Sequence, residues 1–237
     1  MNIQYPVFVI NMDKDLNRWA SVQDQAKRYG INIKRVPAVE SKDISANELE
    51  LVTAGVRAVW KSHMKCMQLL LESEFNHAII AEDDFSIIAP KDLFSALLDK
   101  DLLSYDLIQI GWVIPGIDNR IKRKYADIEH FIFRMLHRFL LLSNPKSKHL
   151  NRLRVRSAGC APKGFVSDDF QPGGHFYMVS RNFAHAILKI NEPQFLATDD
   201  LYIALARMRS LKFIRSKKNF VTQKPFEKWS GSRFSNH

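Results

Sequence analysis

The sequence predicts an α/β protein with a mostly parallel sheet flanked by helices. Apolar runs of strand length alternate with segments whose apolar residues recur at helical spacing. This alternation is typical of βαβ units, whose strands run parallel. The 237 residues are 46% hydrophobic, enough for a sizeable core, and include no internal repeat and no Gly/Ser-rich linker. We therefore expect a single domain over residues 1–237.

The elements of the first half follow from residue spacing. Apolar or alternating runs are assigned to strands, and runs with apolar residues every three or four positions to helices. Gly30 is typical of a position just after a helix, and Pro90 of a first helical position. The predicted elements are a strand at 5–12, a helix at 15–30, a strand at 31–40, a helix or loop at 44–55, a helix at 56–73, a strand at 78–81 and a helix at 90–103.

The second half continues the alternation around a basic segment. Gly173 and Gly174 give the backbone freedom directly before an apolar run, and two helical patterns follow that run. The predicted elements are strands at 105–113 and 175–180, helices at 181–190 and 199–209, and a last strand at 211–216.

The formal charge of +10 is concentrated in one segment. Residues 118–165 contain twelve Lys and Arg against three acids, which leaves +9 in this segment and a nearly neutral remainder. Within it, residues 128–142 carry a narrow polar stripe of His and Arg among Phe, Ile, Leu and Met. A basic amphipathic helix of this kind is typical of contact with an anionic membrane surface. A helix packed on the sheet with a solvated basic rim is the alternative.

Composition also limits the cellular setting and the partners. Cys66 and Cys160 are too few for a disulfide framework, and the first residues lack the pattern of a signal peptide. No apolar run approaches the ~18 residues of a membrane-spanning helix. We expect a cytoplasmic protein that can lie peripherally on the inner membrane. We expect no nucleic-acid partner, because the sequence has no helix-turn-helix, RNP-type or zinc pattern.

Three consecutive carboxylates, Glu82, Asp83 and Asp84, follow the predicted strand at 78–81. Ligands of open α/β sheets bind beyond the carboxyl ends of the strands. Adjacent carboxylates repel each other, and burial adds to that cost unless a cation or hydrogen-bond donors compensate. Oxygen ligands suit Mg²⁺ or Mn²⁺, and in an extended chain Glu82 and Asp84 would share a face. A solvated strand-to-loop junction is the alternative.

Five stretches of the chain resemble motifs of one family, in the same order and with similar spacing. They resemble the bacterial lipopolysaccharide/lipooligosaccharide glycosyltransferases of family 25, which also include collagen galactosyltransferases. The resemblance covers about residues 1–113 and 171–210, and it leaves out 115–170. The stretches are VFVINMDKDLNRW, RVPAVE, AGVRAVWKSHMKCMQ, AIIAEDD and GGHFYMVSRNFAHAIL.

The resemblance implies a GT-A-type, Rossmann-like fold and a sugar transfer. It implies a nucleotide-sugar-binding half at 1–113 and an acceptor and catalytic half at 171–237, with a basic helical insertion at 114–170. The expected reaction moves a sugar, commonly galactose from UDP-galactose, to a lipooligosaccharide or other saccharide. The expected cofactor is Mn²⁺ or Mg²⁺.

In a fold of this type, the strand ends and the Ser-His helix are expected to bind the donor. We expect the metal at Asp84, supported by Glu82 and by His175, which follows the Gly173–Gly174 pair. Arg18 as a solvated helix residue, His63 as a core residue and His175 as an ordinary strand histidine remain alternatives. The expected donor-binding residues are Asn11, Met12, Asp13, Arg18, Ala38, Val39, Glu40, Ser62, His63, Glu82 and Asp83.

An inverting displacement also needs a base for the acceptor hydroxyl, and a carboxylate suffices. Asp199 and Asp200, in ATDDLYIALAR, resemble the acidic D-D-L-Y segment of other inverting galactosyltransferases. Acids here also suit a helix N-terminus, so one can cap while the other acts. We expect Asp199 to be the base, with Asp168 and Asp169 as the rival pair.

Two other classes of function remain open from the sequence. One is a metal-dependent phosphohydrolase of nucleotide sugars, which would release product without an acceptor. The other is a basic membrane- or nucleic-acid-binding protein without catalysis. Neutralising Glu82, Asp83 and Asp84 would abolish transfer by an enzyme but leave such binding unchanged.

Overall fold

One sheet organises the computed structural model of the chain. The structure describes residues 5–45, 52–98, 102–112, 160–168, 170–190, 196–207 and 211–224. The predicted basic helix at 128–142 and the base candidate Asp169 lie outside these residues. Most of the expected insertion at 114–170 lies outside them as well.

Strands and helices alternate along most of the described chain. The elements are β1 (Val7–Asn11), α1 (Leu16–Tyr29), β2 (Ile33–Pro37), a 3₁₀ helix (Ser41–Asp43), α2 (Ala54–Glu72), β3 (His77–Glu82), β4 (Phe85–Ile87), α3 (Lys91–Leu98), β5 (Leu107–Gly111), β6 (Phe165–Ser167), β7 (Phe176–Ser180), α4 (Arg181–Ile187), α5 (Thr198–Arg207), β8 (Phe213–Ser216) and β9 (Val221–Gln223).

The nine described strands have the order β2-β1-β3-β7-β5-β8-β6, and β9 joins β4 to β5. The pairings make β1, β2, β3, β5, β8 and β9 run in one direction, and β4, β6 and β7 in the other. The predicted α/β class with a mostly parallel sheet is therefore confirmed. The sequence did not predict β4, β6 and β9, because a three-residue strand is too short for its alternation to show.

The helix ends follow local signals that the sequence carries. Gly30 adopts a left-handed conformation (φ 68°) and its N–H donates to Ala26 O, so α1 ends where predicted. Thr53 caps α2 by accepting the N–H of Val56, which starts this helix two residues before the predicted position. Ser180 caps α4 in the same way, through the N–H of Phe183.

The sheet buries both of its faces. Alternate residues of β1 lie in different clusters, Phe8 and Ile10 in one and Val7 and Val9 in the other. The first cluster packs against α2, α4 and α5, and the second against α1 and α3. Because six of the nine described strands run in one direction, the polar residues at their carboxyl ends collect at one edge of the sheet. We call this the carboxyl edge.

None of the described helices combines the length and the apolar character needed to cross a membrane.

Candidate functional site

The three carboxylates lie where β3 ends and turns toward β4. Glu82 is the last residue of β3, and Asp83 and Asp84 form the turn. The alternation on which we based a shared face for Glu82 and Asp84 therefore stops at Glu82. Each of the three side chains instead contacts different elements, as described below.

Asp83 is held by donors from β1 and α1. Its Oδ2 accepts a hydrogen bond from Asn11 Nδ2 at 2.6 Å, and its Oδ1 pairs with Arg18 at 3.1 Å. Burial raises the pKa of Asp83, while the bonds from Asn11 and Arg18 act in the opposite direction. Asn11, Arg18 and Asp83 thus form one connected group at the carboxyl edge.

Glu82 points toward α2. Its Oε1 lies 3.3 Å from Nε2 of His63, and 32% of its side-chain surface is exposed. Burial of its carboxyl group, followed by the charges of Asp84 and Asp83, raises the pKa of Glu82 to about 8. A cation beside Glu82 would relieve both effects.

Asp84 points toward β9. Its Oδ2 accepts a hydrogen bond from Gln223 Nε2 at 2.7 Å, and its backbone carbonyl accepts one from the N–H of Lys224. Its Oδ1 is buried and has no hydrogen-bond partner among the described residues. Burial also raises the pKa of Asp84. A buried carboxylate oxygen without a hydrogen-bond donor lowers the stability of the fold unless a bound ligand interacts with it.

Arg35 connects the ends of β1 and β2. Its Nε donates to Asn11 Oδ1 at 2.8 Å, and its guanidinium forms an ion pair with Asp13 at 2.9 Å and contacts Met12 O at 3.3 Å. Arg35 was not among the site residues expected from the sequence. Its presence in the strand at 31–40, parallel to β1, was the available signal, because parallel neighbours end at the same edge.

The segment after β2 is fixed by backbone contacts and by α2. The N–H of Ala38 donates to Asn11 O, and the N–H of Val39 donates to Ser62 Oγ at 2.8 Å. Ser62 in turn donates to Ala58 O at 2.7 Å, so its hydroxyl is used within the protein. Glu40 forms an ion pair with Lys42. Ser62 therefore positions the segment that we expect to contact the donor.

His63 is a buried residue of α2 that contacts Glu82 on one side and Tyr177 on the other. Its Nδ1 lies 2.6 Å from Tyr177 Oη, which lies 3.2 Å from Tyr202 Oη. Burial lowers the pKa of His63 to about 4, so the ring is neutral at physiological pH. Its packing supports the alternative of a core histidine, and its bond to Glu82 ties it to the site.

His175 directly precedes β7 and lies beside Glu82, whose N–H donates to its carbonyl at 3.0 Å. Its Nε2 is 3.3 Å from Val221 O, and its Nδ1 is buried with no hydrogen-bond partner in the described part of the chain. Burial lowers the pKa of His175 to about 4. The neutral ring therefore donates from Nε2 and leaves a lone pair on Nδ1.

Asp199, in the first turn of α5, holds the loop before His175. Its two oxygens accept hydrogen bonds from the N–H groups of Gly173 and Gly174, each at 2.8 Å. A Cβ at position 174 would lie 2.5 Å from Asp199 Oδ1, so this approach requires glycine. Burial and the charge of Glu82 raise the pKa of Asp199 to about 6. Asp200 lies in the same turn.

Asp168 lies at the amino ends of the parallel strands, opposite the carboxyl edge. It follows β6, which is antiparallel to β8, and its N–H donates to Phe213 O at the start of β8. Asp168 is thus placed away from Glu82, and Asp169 is not among the described residues.

No group of three or more His, Cys, Asp or Glu side chains is arranged as a metal centre within the described ranges. Glu82, Asp84 and His175 therefore do not form a complete centre without further ligands. Asp84 Oδ1 and His175 Nδ1 are nevertheless two buried atoms that can bind a metal and that lack hydrogen-bond partners in that part of the chain. Their chemistry, carboxylate oxygen and neutral imidazole nitrogen, fits a divalent cation such as Mn²⁺.

An α/β sheet with carboxylates at its carboxyl edge is a framework that suits enzymes acting on nucleotide-linked substrates. Residues 4–203 match the model of glycosyltransferase family 25, described as LPS biosynthesis protein, and the chain therefore belongs to that family of enzymes. The predicted resemblance is confirmed. A search of curated proteins found no match.

Several solved structures share a distant likeness with the chain. The galactosyltransferase LgtC, in complex with donor and acceptor sugar analogs, shows 6% identity and a TM-score of 0.41 over 94% of this chain and 87% of that chain. An active-site mutant of LgtC also shows 6% identity and a TM-score of 0.41, over 93% of this chain and 87% of that chain. The glycosyltransferase GlyE of Streptococcus pneumoniae TIGR4 shows 7% identity and a TM-score of 0.43, over 99% of this chain and 58% of that chain.

Proposed function

We propose that this chain transfers a hexose, galactose from UDP-galactose, to a lipooligosaccharide or other saccharide, with inversion and with a divalent cation. The observation that carries this proposal is the turn Glu82–Asp83–Asp84 at the carboxyl end of β3, with one buried oxygen of Asp84 lacking a donor among the described residues. Membership of a family described by LPS biosynthesis supports a saccharide acceptor.

The metal ligands in this proposal are Asp84, Glu82 and His175. A bound Mn²⁺ or Mg²⁺ supplies positive charge that stabilises the diphosphate leaving group. Such ions commonly take few protein ligands and complete their shell with substrate phosphates and water. In the described part of the chain, Asp84 Oδ1 and His175 Nδ1 have no competing hydrogen-bond partners.

The donor nucleotide lies, in this proposal, across the ends of β1 and β2. The candidate contacts are Met12 and Asp13 after β1, and Ala38 to Glu40 after β2. Arg18 and Arg35 add positive charge at this edge, although each also bonds within the protein. Asn11 and Ser62 hold these segments in place rather than leaving their own polar groups open.

Asp199 is our candidate for the general base. The acceptor hydroxyl gives its proton to the Asp199 carboxylate while its oxygen bonds to the sugar C1. The bond from C1 to the diphosphate oxygen breaks, and its electron pair leaves with the nucleotide. A pKa near 6 supports this role, because a base works best when its pKa lies close to the operating pH. Asp200 is the alternative in the same turn.

The test is a screen of UDP- and GDP-sugars with Mn²⁺, measured as nucleotide release with and without a cell-derived lipooligosaccharide. We expect release from UDP-galactose that depends on the acceptor, and loss of it in the Asp84→Asn variant. Release of sugar or phosphate at the same rate without acceptor would indicate a phosphohydrolase instead.

We also propose peripheral contact with the anionic inner leaflet through the basic segment at 118–165. The support is its charge of +9 and the amphipathic pattern at 128–142. Reversing the charges of Arg152, Arg154 and Arg156 should reduce sedimentation with anionic vesicles, since each cation contributes about 1 kcal/mol at such a surface. Transfer to a small soluble acceptor should be nearly unchanged. Equal vesicle binding would assign the segment a structural role.

A further inference from the structure

A chain of hydrogen bonds leads from Glu82 into the interior of the protein. Glu82 Oε1 lies 3.3 Å from His63 Nε2, His63 Nδ1 lies 2.6 Å from Tyr177 Oη, and Tyr177 Oη lies 3.2 Å from Tyr202 Oη. The four residues come from β3, α2, β7 and α5. His63 is 1% exposed and both tyrosines are fully buried, so water does not compete for the contacts among these three residues.

This series of hydrogen bonds can be formed with every hydrogen-bond donor and acceptor in a consistent direction. A neutral imidazole carries one N–H, and each tyrosine carries one O–H. When Glu82 is ionised, His63 donates from Nε2 to Glu82, Tyr177 donates to His63 Nδ1, and Tyr202 donates to Tyr177. Each donor then points toward Glu82, so the tyrosine hydroxyls select the histidine tautomer that holds the carboxylate.

Tyr202, the last residue of this series of hydrogen bonds, lies on the helix that carries Asp199. Tyr202 follows Asp199 by three residues, so both side chains lie on the same side of α5. Asp199 also binds the N–H groups of Gly173 and Gly174, the loop that leads into β7 and Tyr177. The hydrogen bonds that start at Glu82 therefore end on the helix that carries Asp199, our candidate for the base.

We propose that Tyr177 is a positioning residue for the reaction: its hydroxyl, acting through His63, fixes the orientation of the Glu82 carboxylate relative to α5. This inference deepens the proposed function, on which it rests for the role of Glu82 in donor binding. No role for Tyr177 or Tyr202 was expected from the sequence.

Three tyrosine variants isolate the hydroxyl groups. Tyr177→Phe removes the central bond, and Tyr202→Phe removes only the last donor. Tyr105→Phe is the matched control, because its hydroxyl donates to Cys160 O at 3.3 Å, outside this chain of hydrogen bonds. All three substitutions keep the ring and delete one hydroxyl of a buried tyrosine.

The kinetic test combines these variants with Glu82→Gln in the full chain. We expect kcat/KM for the UDP-sugar to fall about 10-fold in Tyr177→Phe, less in Tyr202→Phe, and not in Tyr105→Phe. The double variant of Tyr177→Phe with Glu82→Gln should be no worse than Glu82→Gln alone, because both act on the same carboxylate. Effects that multiply in the double variant would overturn the proposal and leave Tyr177 a packing residue.

A spectroscopic test reads the same contact without any activity. The ring ¹⁵N resonances of His63, assigned by their loss in His63→Gln, should shift in Tyr177→Phe, shift less in Tyr202→Phe and stay in place in Tyr105→Phe. Unchanged resonances in Tyr177→Phe would overturn the proposal. If the wild type uses no nucleotide sugar, the proposed function fails, and these spectra still decide whether Tyr177 positions His63. Should Tyr177→Phe not fold, Tyr202→Phe carries both tests, and no change in either would count against the proposal.

Discussion

Two buried aspartates lie at opposite ends of the parallel strands. They differ in how many hydrogen bonds their carboxylate oxygens accept. Asp106 directly precedes β5, and its carboxylate accepts hydrogen bonds from Ser180 Oγ, Asn182 Nδ2 and the N–H of Lys212. Asp84 lies after β3 at the carboxyl edge and accepts one bond from Gln223, while its Oδ1 has no partner in the described part of the chain.

This difference is the reason why we propose Asp84, and not Asp106, as a ligand-binding acid. Both residues are less than 10% exposed, so burial alone does not distinguish them. A fully hydrogen-bonded carboxylate stabilises the fold, and removing one acceptor leaves donors unsatisfied. A carboxylate with a buried, unpartnered oxygen costs stability and suits a cation. We therefore expect opposite consequences from the same substitution at the two positions.

The largest effect should come from Asp84→Asn. We expect transfer to fall by about 1000-fold, because the leaving-group charge loses its metal ligand. Binding of UDP should weaken more in Mn²⁺ than in EDTA, as measured by calorimetry. The unfolding free energy should change little, since asparagine can still accept from Gln223. Full activity of this variant, or of the wild type in EDTA, would remove the metal from the proposal.

Asp106→Asn is the matched control for that substitution. We expect it to lower the unfolding free energy by about 1–3 kcal/mol, because one of its donors loses an acceptor. Activity per folded molecule should stay near the wild-type value. A stable Asp106→Asn with reduced activity would break the comparison between the two edges.

The next effect concerns the base. Asp199→Asn should reduce transfer by at least about 100-fold with donor binding within a few-fold of wild type, because the carboxylate acts on the acceptor in the transition state. Asp200→Asn should retain transfer. The reverse result would assign the base to Asp200 and leave Asp199 as the residue that holds Gly173 and Gly174.

The histidines test whether an unpartnered imidazole nitrogen is informative by itself. His175 at the carboxyl edge and His77 at the amino end of β3 both place Nε2 near a backbone carbonyl and both have a buried Nδ1 without a partner in the described residues. His175→Gln should lower Mn²⁺-dependent transfer about 10-fold, whereas His77→Gln should change only stability. Equal losses from both substitutions would show that His175 has no special relation to the metal.

Two glycines sharpen the comparison at the level of the backbone. Gly174→Ala should lower the unfolding free energy by about 1–3 kcal/mol and reduce activity, because its Cβ would meet Asp199 Oδ1 at 2.5 Å. Gly55→Ala, near the start of α2, has no atom within 4 Å of its Cβ and should stabilise by about 0.5–1 kcal/mol. Chemical denaturation measures both.

The last effect is the pH dependence due to Glu82. Its pKa is raised from 4.5 to about 8, so the folded state binds this proton more tightly than the unfolded chain. The unfolding free energy of the metal-free protein should therefore fall as pH rises from 4.5 to 8. We expect Glu82→Gln to remove about 1 kcal/mol of that fall, a value reduced for partial solvent exposure. An identical pH profile in the variant would contradict the raised pKa.

Much of the fold was open to prediction because it depends on local patterns. The apolar run at 5–12, the spacing in 56–73 and the Gly30 helix end all express preferences of neighbouring residues, and the structure confirms them. The three-residue strands β4, β6 and β9 were missed because pairing with distant strands, and not their own pattern, forms them.

The sequence by itself determined the α/β class, the family and the position of three acids at the end of a strand. These follow from residues that are adjacent or regularly spaced. Only the tertiary structure decided which acid is satisfied, because the partners of Asp83 and Asp84 come from α1 and β9, far away in the chain. The bonds from Asp199 to Gly173 and Gly174 were decided in the same way. Hydrogen-bond partners depend on distances of a few ångström between remote segments, and spacing along a chain does not encode these distances.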